Sequence, residues 1–465
     1  MDKNIEIFKN KKIFNVENIF LILALVFGLA IVFIGTPIQE SDGWEHFIRG
    51  VDVSYGNLFS PVILLNHDDG QAVVPENFGE VKYRLTDPGT NEGKEFRNLL
   101  KSIKPSKNTI KMTFYAGTMS VFYYPQALGV AVARLLGLSI YGWVIFGRIF
   151  NLLIYLAFAY TAIRITPILK NTMVVIALLP MSLYQAASFS PDSMLNGLCF
   201  LFAALVFYYA YGDKQEIRIS DVIKLGILLA FIFLCKYVYV ALGLLVFIIP
   251  KNKFGDKKEY IKKFIIGLIP VLIFGIIAVY AAVSAITSGA ESANERIIEG
   301  TSAMTPLEFL LGNPVNIIKL LIYSFLYKLT DYVYWLDVLG SLNYQLGPLI
   351  YIIPAFVFYV VGSEINKPDI NIRVRDKILT LIIFFIIYAG IVIGIYVGDT
   401  RINFAGELVV QGVQGRYFIA ALPMLAFAFV PRKRKNEDEI FSYKLLLCEF
   451  FILCIMVYFL KINCL

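Results

Sequence analysis

Blocks of apolar residues, most of them about as long as a helix needs to cross a bilayer and one (238–250) short enough to be tilted or partly re-entrant, recur along almost the whole chain. Eleven run over 18–36, 141–163, 172–188, 192–211, 221–237, 238–250, 264–287, 347–362, 377–397, 415–430 and 441–460. They are continuous runs and do not alternate as the strands of an outer-membrane barrel would. Of the 465 residues, 58% are hydrophobic and 17% charged, against about 25% charged in an average soluble domain. That excludes an ordinary soluble enzyme, a disordered chain and a small disulfide scaffold. The expected fold is all-α: a polytopic transmembrane helical protein of about 11 spans, with residues 1–465 forming one integral membrane domain. The run from about Ile19 to Ile34 has no small-residue cleavage site after it and reads as the first span. The five cysteines show no paired spacing, so neither a disulfide framework nor a zinc site is indicated.

Basic residues set the expected topology. The segments 1–17, 164–171, 213–224, 251–263, 363–377 and 431–444 hold 24 of the 42 Lys and Arg, and they read as inner by the positive-inside rule. The net charge of +7 is therefore largely a topology signal and does not point to nucleic acid. The N-terminus is expected in the cytoplasm and the C-terminus outside.

One outer loop, about 37–120, dwarfs the others. Two further apolar blocks, 121–137 and 315–329, are read as interfacial helices, because a span at 121–137 would put the next three basic loops outside. Pro125 suits a helix start and Gly137 a stop. The second is announced by Thr305-Pro306-Leu307-Glu308, a capping-box pattern, so this interfacial element covers 305–329. Its Lys319 and Lys328 suit the membrane surface, although a tight pair of spans over 315–341 would keep the same parity. No internal repeat is visible, which weakens a transporter built from inverted halves.

Ionisable residues at the outer face mark where chemistry is to be sought. After the first span come Asp42, Glu45, His46 and Arg49, carboxylates and an imidazole at the level where a lipid-linked substrate presents its phosphate. Asp42 or Glu45 can serve as general base on an acceptor hydroxyl. Asp42-x-x-Glu45 also has the spacing of a capping box, and the two readings are compatible. His67-Asp68-Asp69-Gly70 reads as a polar turn more than as a metal site. Asp192 follows Ser190 and Pro191 at a natural helix start. Lys236 and Arg416 supply cations for a phosphate, with snorkelling to headgroups as the bland reading of each. Arg148, inside the second span, pairs with a structural carboxylate or has a functional part.

Several of these segments resemble, in order, a bacterial family of multi-pass membrane proteins catalogued as domain of unknown function 2142. They are Asp42…His46-Phe47…Arg49; Tyr124-Pro125-Gln126-Ala127-Leu128-Gly129 to Gly147-Arg148…Asn151; Leu179-Pro180-Met181 to Asp192; Lys236…Tyr239…Leu242; Trp335-Leu336-Asp337; and Gln414-Gly415-Arg416-Tyr417-Phe418. Gly43 and Trp44 stand where that family usually has Glu-Pro, so the acid paired with Asp42 is absent and Glu45 is its nearest substitute.

The family in turn is similar to the GT-C glycosyltransferases, which use a polyprenyl-phosphate sugar at the outer face of the membrane. The resemblance implies a glycosyltransferase of the bacterial plasma membrane, moving a hexose or pentose from that lipid-linked donor to a glycan or glycolipid acceptor. Asp42, Asp192, Glu45 and His46 would be catalytic. Arg416, Lys236, Arg49, Tyr417, Gln414 and Tyr239 would bind substrate, and Asp337 and Arg148 would support them. No obligatory metal is implied, and a divalent ion such as Mg or Mn between Asp42 and Asp192 is compatible with it. Membrane lipids and envelope glycan assembly proteins are the further partners. Two other classes remain open from sequence: a transporter or flippase of lipid-linked glycan, and a non-catalytic scaffold of an envelope assembly complex.

Overall fold

The computed structural model describes residues 15–38, 42–58, 71–86, 93–113, 119–287, 305–334, 338–339, 344–347, 349–364, 370–399, 402–431 and 439–464. The chain begins with α1 (Val16–Ile34) and turns into α2 (Gly43–Ser54). Strand β1 (Gln71–Pro75), the short helices α3 (Phe78–Thr86) and α4 (Gly93–Ser102), and strand β2 (Thr109–Thr113) follow. The two strands pair antiparallel, from Gln71 opposite Thr113 to Pro75 opposite Thr109. A 3-10 turn over Ser120–Tyr123 leads into α5 (Tyr124–Leu135).

Long helices come next. These are α6 (Ile140–Ile165), the broken pair α7 (Lys170–Leu178) and α8 (Pro180–Ala186), α9 (Asp192–Tyr211), and α10 (Ile219–Cys235). A 3-10 helix over Tyr237–Ile248 and a 3-10 turn over Lys251–Phe254 connect to α11 (Lys257–Thr287). Then come α12 (Pro306–Gly312), α13 (Pro314–Tyr334), the two-residue strands β3 (Val338–Leu339) and β4 (Tyr344–Gln345), α14 (Leu349–Gly362) and α15 (Val374–Gly398). A 3-10 helix over Gly415–Ala421 runs into α16 (Leu422–Phe429), and α17 (Glu439–Cys464) ends the chain.

Among the described residues, six helices are long and apolar enough to cross a membrane: α1, α6, α9, α11 over Lys257–Ile277, α15, and α17 over Ser442–Cys464. The pair α12 and α13, bent by 116°, makes a seventh if it is one span. The count of about 11 differs for identifiable reasons. The 172–188 block is broken where Leu179 turns extended before Pro180, since the residue ahead of a proline avoids the helical region. The 221–237 block holds a helix of 17 residues. The 238–250 block winds as a 3-10 helix, and the 415–430 block changes from 3-10 to α before Pro423. At 315–341, one helix runs continuously over Pro314–Tyr334, which leaves no turn for a pair of spans there.

Several local expectations are met by named atoms. Thr305 Oγ1 accepts from the Glu308 N–H at 3.2 Å, and Glu308 Oε2 accepts from the Thr305 N–H at 2.8 Å. Gly137, at φ +65°, stops α5 in a Schellman arrangement: Leu138 N–H reaches Ala133 O and Gly137 N–H reaches Arg134 O, both at 3.0 Å. The all-α reading requires a correction, because the first loop carries the β1–β2 sheet besides its helices and β3 pairs antiparallel with β4.

Contacts at one end of the bundle join the basic segments. Lys170 pairs with Glu17 at 3.7 Å. Glu364 accepts from the Thr172 N–H at 2.8 Å, and Ser442 donates to Asn171 at 3.1 Å. Tyr211 donates to Asp376 at 2.7 Å. Several cations close helix C-termini, whose last carbonyls lack intrahelical partners. Lys253 donates to Tyr209 O at 2.9 Å, Arg375 to Phe247 O at 3.0 Å, and Lys377 to Val430 O.

The loop at the other end has its own aromatic core. Phe47 stacks on Phe78 at 5.6 Å and meets Phe189 edge-on at 5.1 Å. The Phe189 ring lies between Gly50 and Gly147, where an added Cβ would sit 3.0 and 2.2 Å from it. Two arginines fasten the loop to the spans. Arg97 donates to Ile34 O at 2.7 Å and Arg148 to Thr36 O at 2.7 Å, both at the negative end of α1.

Close backbone approach sets a stability test. A Cβ on Gly129 would lie 2.3 Å from the Phe146 carbonyl oxygen, whereas one on Gly79 meets nothing within 4 Å. Gly129→Val is expected to lower stability by about 1–3 kcal/mol or more through overpacking, and Gly79→Ala to leave it unchanged or slightly raised. Thermal unfolding of the purified protein in detergent measures both; equal melting points would contradict the packing described for α5 and α6.

Candidate functional site

Asp192 begins α9, and its place is set by the turn before it. The Asp192 N–H donates to Ser190 Oγ at 3.2 Å. Asn151, from α6, donates to Ser188 O at 2.8 Å and Ser190 O at 3.1 Å, and accepts from Ser193 Oγ at 2.7 Å. Gln185 donates to Asp192 Oδ2 at 3.2 Å while its own oxygen accepts from Asn196 at 3.1 Å. The carboxylate is thereby held by the Gln185 amide on one side and by Lys236 on the other, whose Nζ is 2.6 Å from Oδ1. Lys236 reaches this position because α10 ends at Cys235 and Lys236 itself is extended, at φ −150° and ψ 109°.

The 3-10 helix that opens at Gly415 brings the second cation. Arg416 Nη2 lies 3.5 Å from Asp42 Oδ2. The ring of Tyr417 joins the two pairs, with Lys236 Nζ 4.9 Å and Arg416 Cζ 5.3 Å from its centroid, a cation–π geometry. Tyr239 donates its hydroxyl proton to the Tyr417 carbonyl. Lys236, Arg416 and His46 are the neighbours that favour the ionised Asp192, in that order. Gln414, which caps this 3-10 helix, has a buried side-chain oxygen that accepts no hydrogen bond among the described residues.

Asp42, Asp192, His46, Lys236, Tyr239, Gln414, Arg416 and Tyr417 therefore form one neighbourhood. Asp42 occupies the N-cap position of α2, with its carbonyl accepting from the His46 N–H at 3.0 Å, but its side chain makes no capping hydrogen bond. The capping-box expectation for Asp42 thus fails: its backbone is left-handed, at φ 58° and ψ 21°, and its carboxylate goes to Arg416. Glu45 lies in the first turn of α2, half-buried.

Arg49 is engaged elsewhere. It is buried, ion-paired to Asp52 at 3.3 Å, and donates to Ser120 at 2.8 Å. Burial draws its guanidinium below its ordinary pKa, and Asp52 opposes that shift. Asp52 also accepts from the Val73 N–H at 2.8 Å, which ties α2 to β1. Arg148 donates to main-chain carbonyls of Gly35 and Thr36, so it secures the end of α1. His67 and Asp337 lie outside the described residues.

Sequence reasoning missed Asp52, Tyr123 and Gln185. Tyr123 is hydrogen-bonded through its hydroxyl to His46 Nδ1 at 2.8 Å, and nothing in its spacing marks it. Gln185 had a visible signal, an amide inside an apolar block. Among the described residues, no three His, Cys, Asp or Glu side chains gather as a metal site requires. Asp42 and Asp192 each face a cation of the protein itself.

Residues 25–425 match a family described as "Predicted membrane protein (DUF2142)". The chain belongs to that family. The matched span contains every residue of the neighbourhood, from Asp42 to Tyr417. No curated protein and no solved structure matches the chain. The family description gives membrane residence and no activity, so chemistry has to be argued from the site.

The Asp192–Lys236 pair gives a direct test. Removing Lys236 strands the buried Asp192 carboxylate; because Lys236 is itself 31% exposed, the cost falls below the about 3–5 kcal/mol of fully buried pairs. Lys236→Met is expected to lower the melting temperature clearly, and Asp192→Asn combined with Lys236→Met to restore most of the loss. An additive double variant would show that the two side chains do not interact.

Proposed function

We propose that this protein is a GT-C-like membrane glycosyltransferase, taking a sugar from a polyprenyl-phosphate carrier at the outer face of the bacterial plasma membrane. The observation that carries the reading is the paired arrangement of Asp42 with Arg416 and Asp192 with Lys236 around Tyr417. It combines two acids with two cations suited to a phosphate. The opposite end of the bundle carries the basic segments that the positive-inside rule assigns to the cytoplasm. In this reading the N-terminus is cytoplasmic and the C-terminus outside. The short and broken helices then complete about 11 crossings, with 121–137 and 305–329 lying along the outer surface over the site.

The reaction follows from those groups. Asp42 takes the proton of the acceptor hydroxyl as its oxygen attacks the anomeric carbon. The bond from that carbon to the phosphate oxygen breaks, and its electron pair leaves with the phosphate. The products are the glycosylated acceptor, with inverted configuration, and polyprenyl phosphate. Arg416 and Lys236 stabilise the charge that develops on the departing phosphate. Asp192 holds Lys236 in place and offsets positive charge on the sugar. Gln414 offers its free acceptor oxygen to a sugar hydroxyl. His46, fixed by Tyr123, lines the same space, and Glu45 stands beside it.

Transfer of a labelled sugar from polyprenyl phosphate to envelope acceptors, measured in membranes, tests this. Asp42→Asn is expected to lose at least about 100-fold in rate, the usual contribution of a general base. Arg416→Ala should lose about 100- to 1,000-fold, as for removal of a group that stabilises transition-state charge. Wild-type rates in both variants, with normal insertion, would end the assignment.

A further inference from the structure

The two cations of the site are answered very differently. Lys236 meets Asp192 at 2.6 Å, and the Asp192 carboxylate is 9% exposed. Arg416 is 7% exposed, yet Asp42 approaches it only to 3.5 Å with a side chain that is 68% exposed. Arg416 Nε is buried and has no hydrogen-bond partner among the described residues. A guanidinium carries five donors in a planar fork suited to two oxygens of one phosphoryl group. Tyr417 and Asp192 also act on Arg416, but the contact to one Asp42 oxygen leaves the Nε donor unused, inside a site where unanswered charge is costly.

Asp42 is also lightly held. Its side chain makes no cap to α2, and its backbone is left-handed, a conformation that Asp adopts more readily than most residues because its short polar side chain can bond locally. Moving its carboxylate therefore breaks no helix contact.

We infer that Asp42 is an exchangeable placeholder on Arg416: in the empty protein its carboxylate occupies the seat that a phosphoryl group of the lipid takes, and binding of that phosphoryl group releases Asp42. The base role of the released Asp42 rests on the transferase reading above; the exchange at Arg416 does not. Arg416 is the cation open to exchange, because the charge of Lys236 is already matched. The consequence is an ordered sequence. Without donor, one carboxylate oxygen of the base is engaged by Arg416. With donor, one anion replaces another on the guanidinium and the carboxylate becomes free beside the anomeric carbon.

The test uses the full-length protein in lipid nanodiscs, with polyprenyl monophosphate as probe and the corresponding polyprenol as control. Binding is read by the change in intrinsic tryptophan fluorescence, to which Trp44, two residues from Asp42, contributes beside Trp143 and Trp335. Asp42→Asn removes the competing charge and is expected to tighten monophosphate binding by about two- to fivefold, the range that an exposed ion pair supports. Asp42→Ala should give the same gain, and neither variant should change polyprenol binding. On an Arg416→Gln background the gain should disappear.

Unchanged or weaker monophosphate binding in Asp42→Asn would overturn the exchange, as would a gain that persists with Arg416→Gln. Sugar transfer assayed on the same wild-type preparation separates this from the transferase reading. A gain in binding without any transfer would keep the exchange and remove the transferase. Transfer without a gain would do the reverse.

Discussion

The contact between Asp192 and Lys236 is the one on which the site depends. It joins the start of α9 to the end of α10, 2.6 Å across, and it settles where every neighbouring group can go. Lys236 is drawn over the Tyr417 ring, which orients the Gly415–Ala421 helix and with it Arg416. Tyr239, one turn beyond Lys236, fastens the Tyr417 carbonyl from below. A carboxylate and an ammonium away from water are tolerated only when each answers the other and their remaining valences are filled. Gln185, itself held by Asn196, donates to the second carboxylate oxygen of Asp192, and the Ser190 hydroxyl takes its main-chain N–H.

The same requirement organises the rest of the bundle. Several charged side chains bond to main-chain carbonyls or to opposite charges at helix ends. At the basic end Lys253, Arg375 and Lys377 close C-termini. At the other end Arg97 and Arg148 close α1. These arginines also decide where the chain leaves the first span and hence where Asp42 begins α2. Phe189, gripped between Gly50 and Gly147, couples that loop to the turn bearing Asp192. The two acids come from distant parts of the chain and are placed by one aromatic core.

Much of this was legible in the sequence, for definite reasons. A helix long enough to span a membrane announces itself by length alone, so α1, α6, α9, α15 and α17 fall on expected blocks. Acids and cations stand out in a chain with so few of them, and that scarcity brought Asp42, Asp192, Lys236 and Arg416 forward together. What was not legible depended on backbone choices made by tertiary contacts. Residues 237–248 wind as a 3-10 helix with a sequence as apolar as any α-helical span. Asp42 has cap spacing, yet its side chain goes to Arg416, a partner 374 positions away. The β1–β2 strands are five residues each, far below the window that reveals spans. Asp52 and Tyr123 act through contacts that no spacing encodes.

The central claim is that the two acid–cation pairs share one membrane face, the outer one, while the basic segments share the other. Cysteine labelling tests it most directly. The five native cysteines can be replaced to give a silent background. Asp42→Cys and Arg375→Cys then report from positions whose native side chains are 68% and 62% exposed. A membrane-impermeant maleimide added to intact cells should label Asp42→Cys and reach Arg375→Cys only after permeabilisation. Labelling of Arg375→Cys in intact cells, with Asp42→Cys protected, would contradict the account.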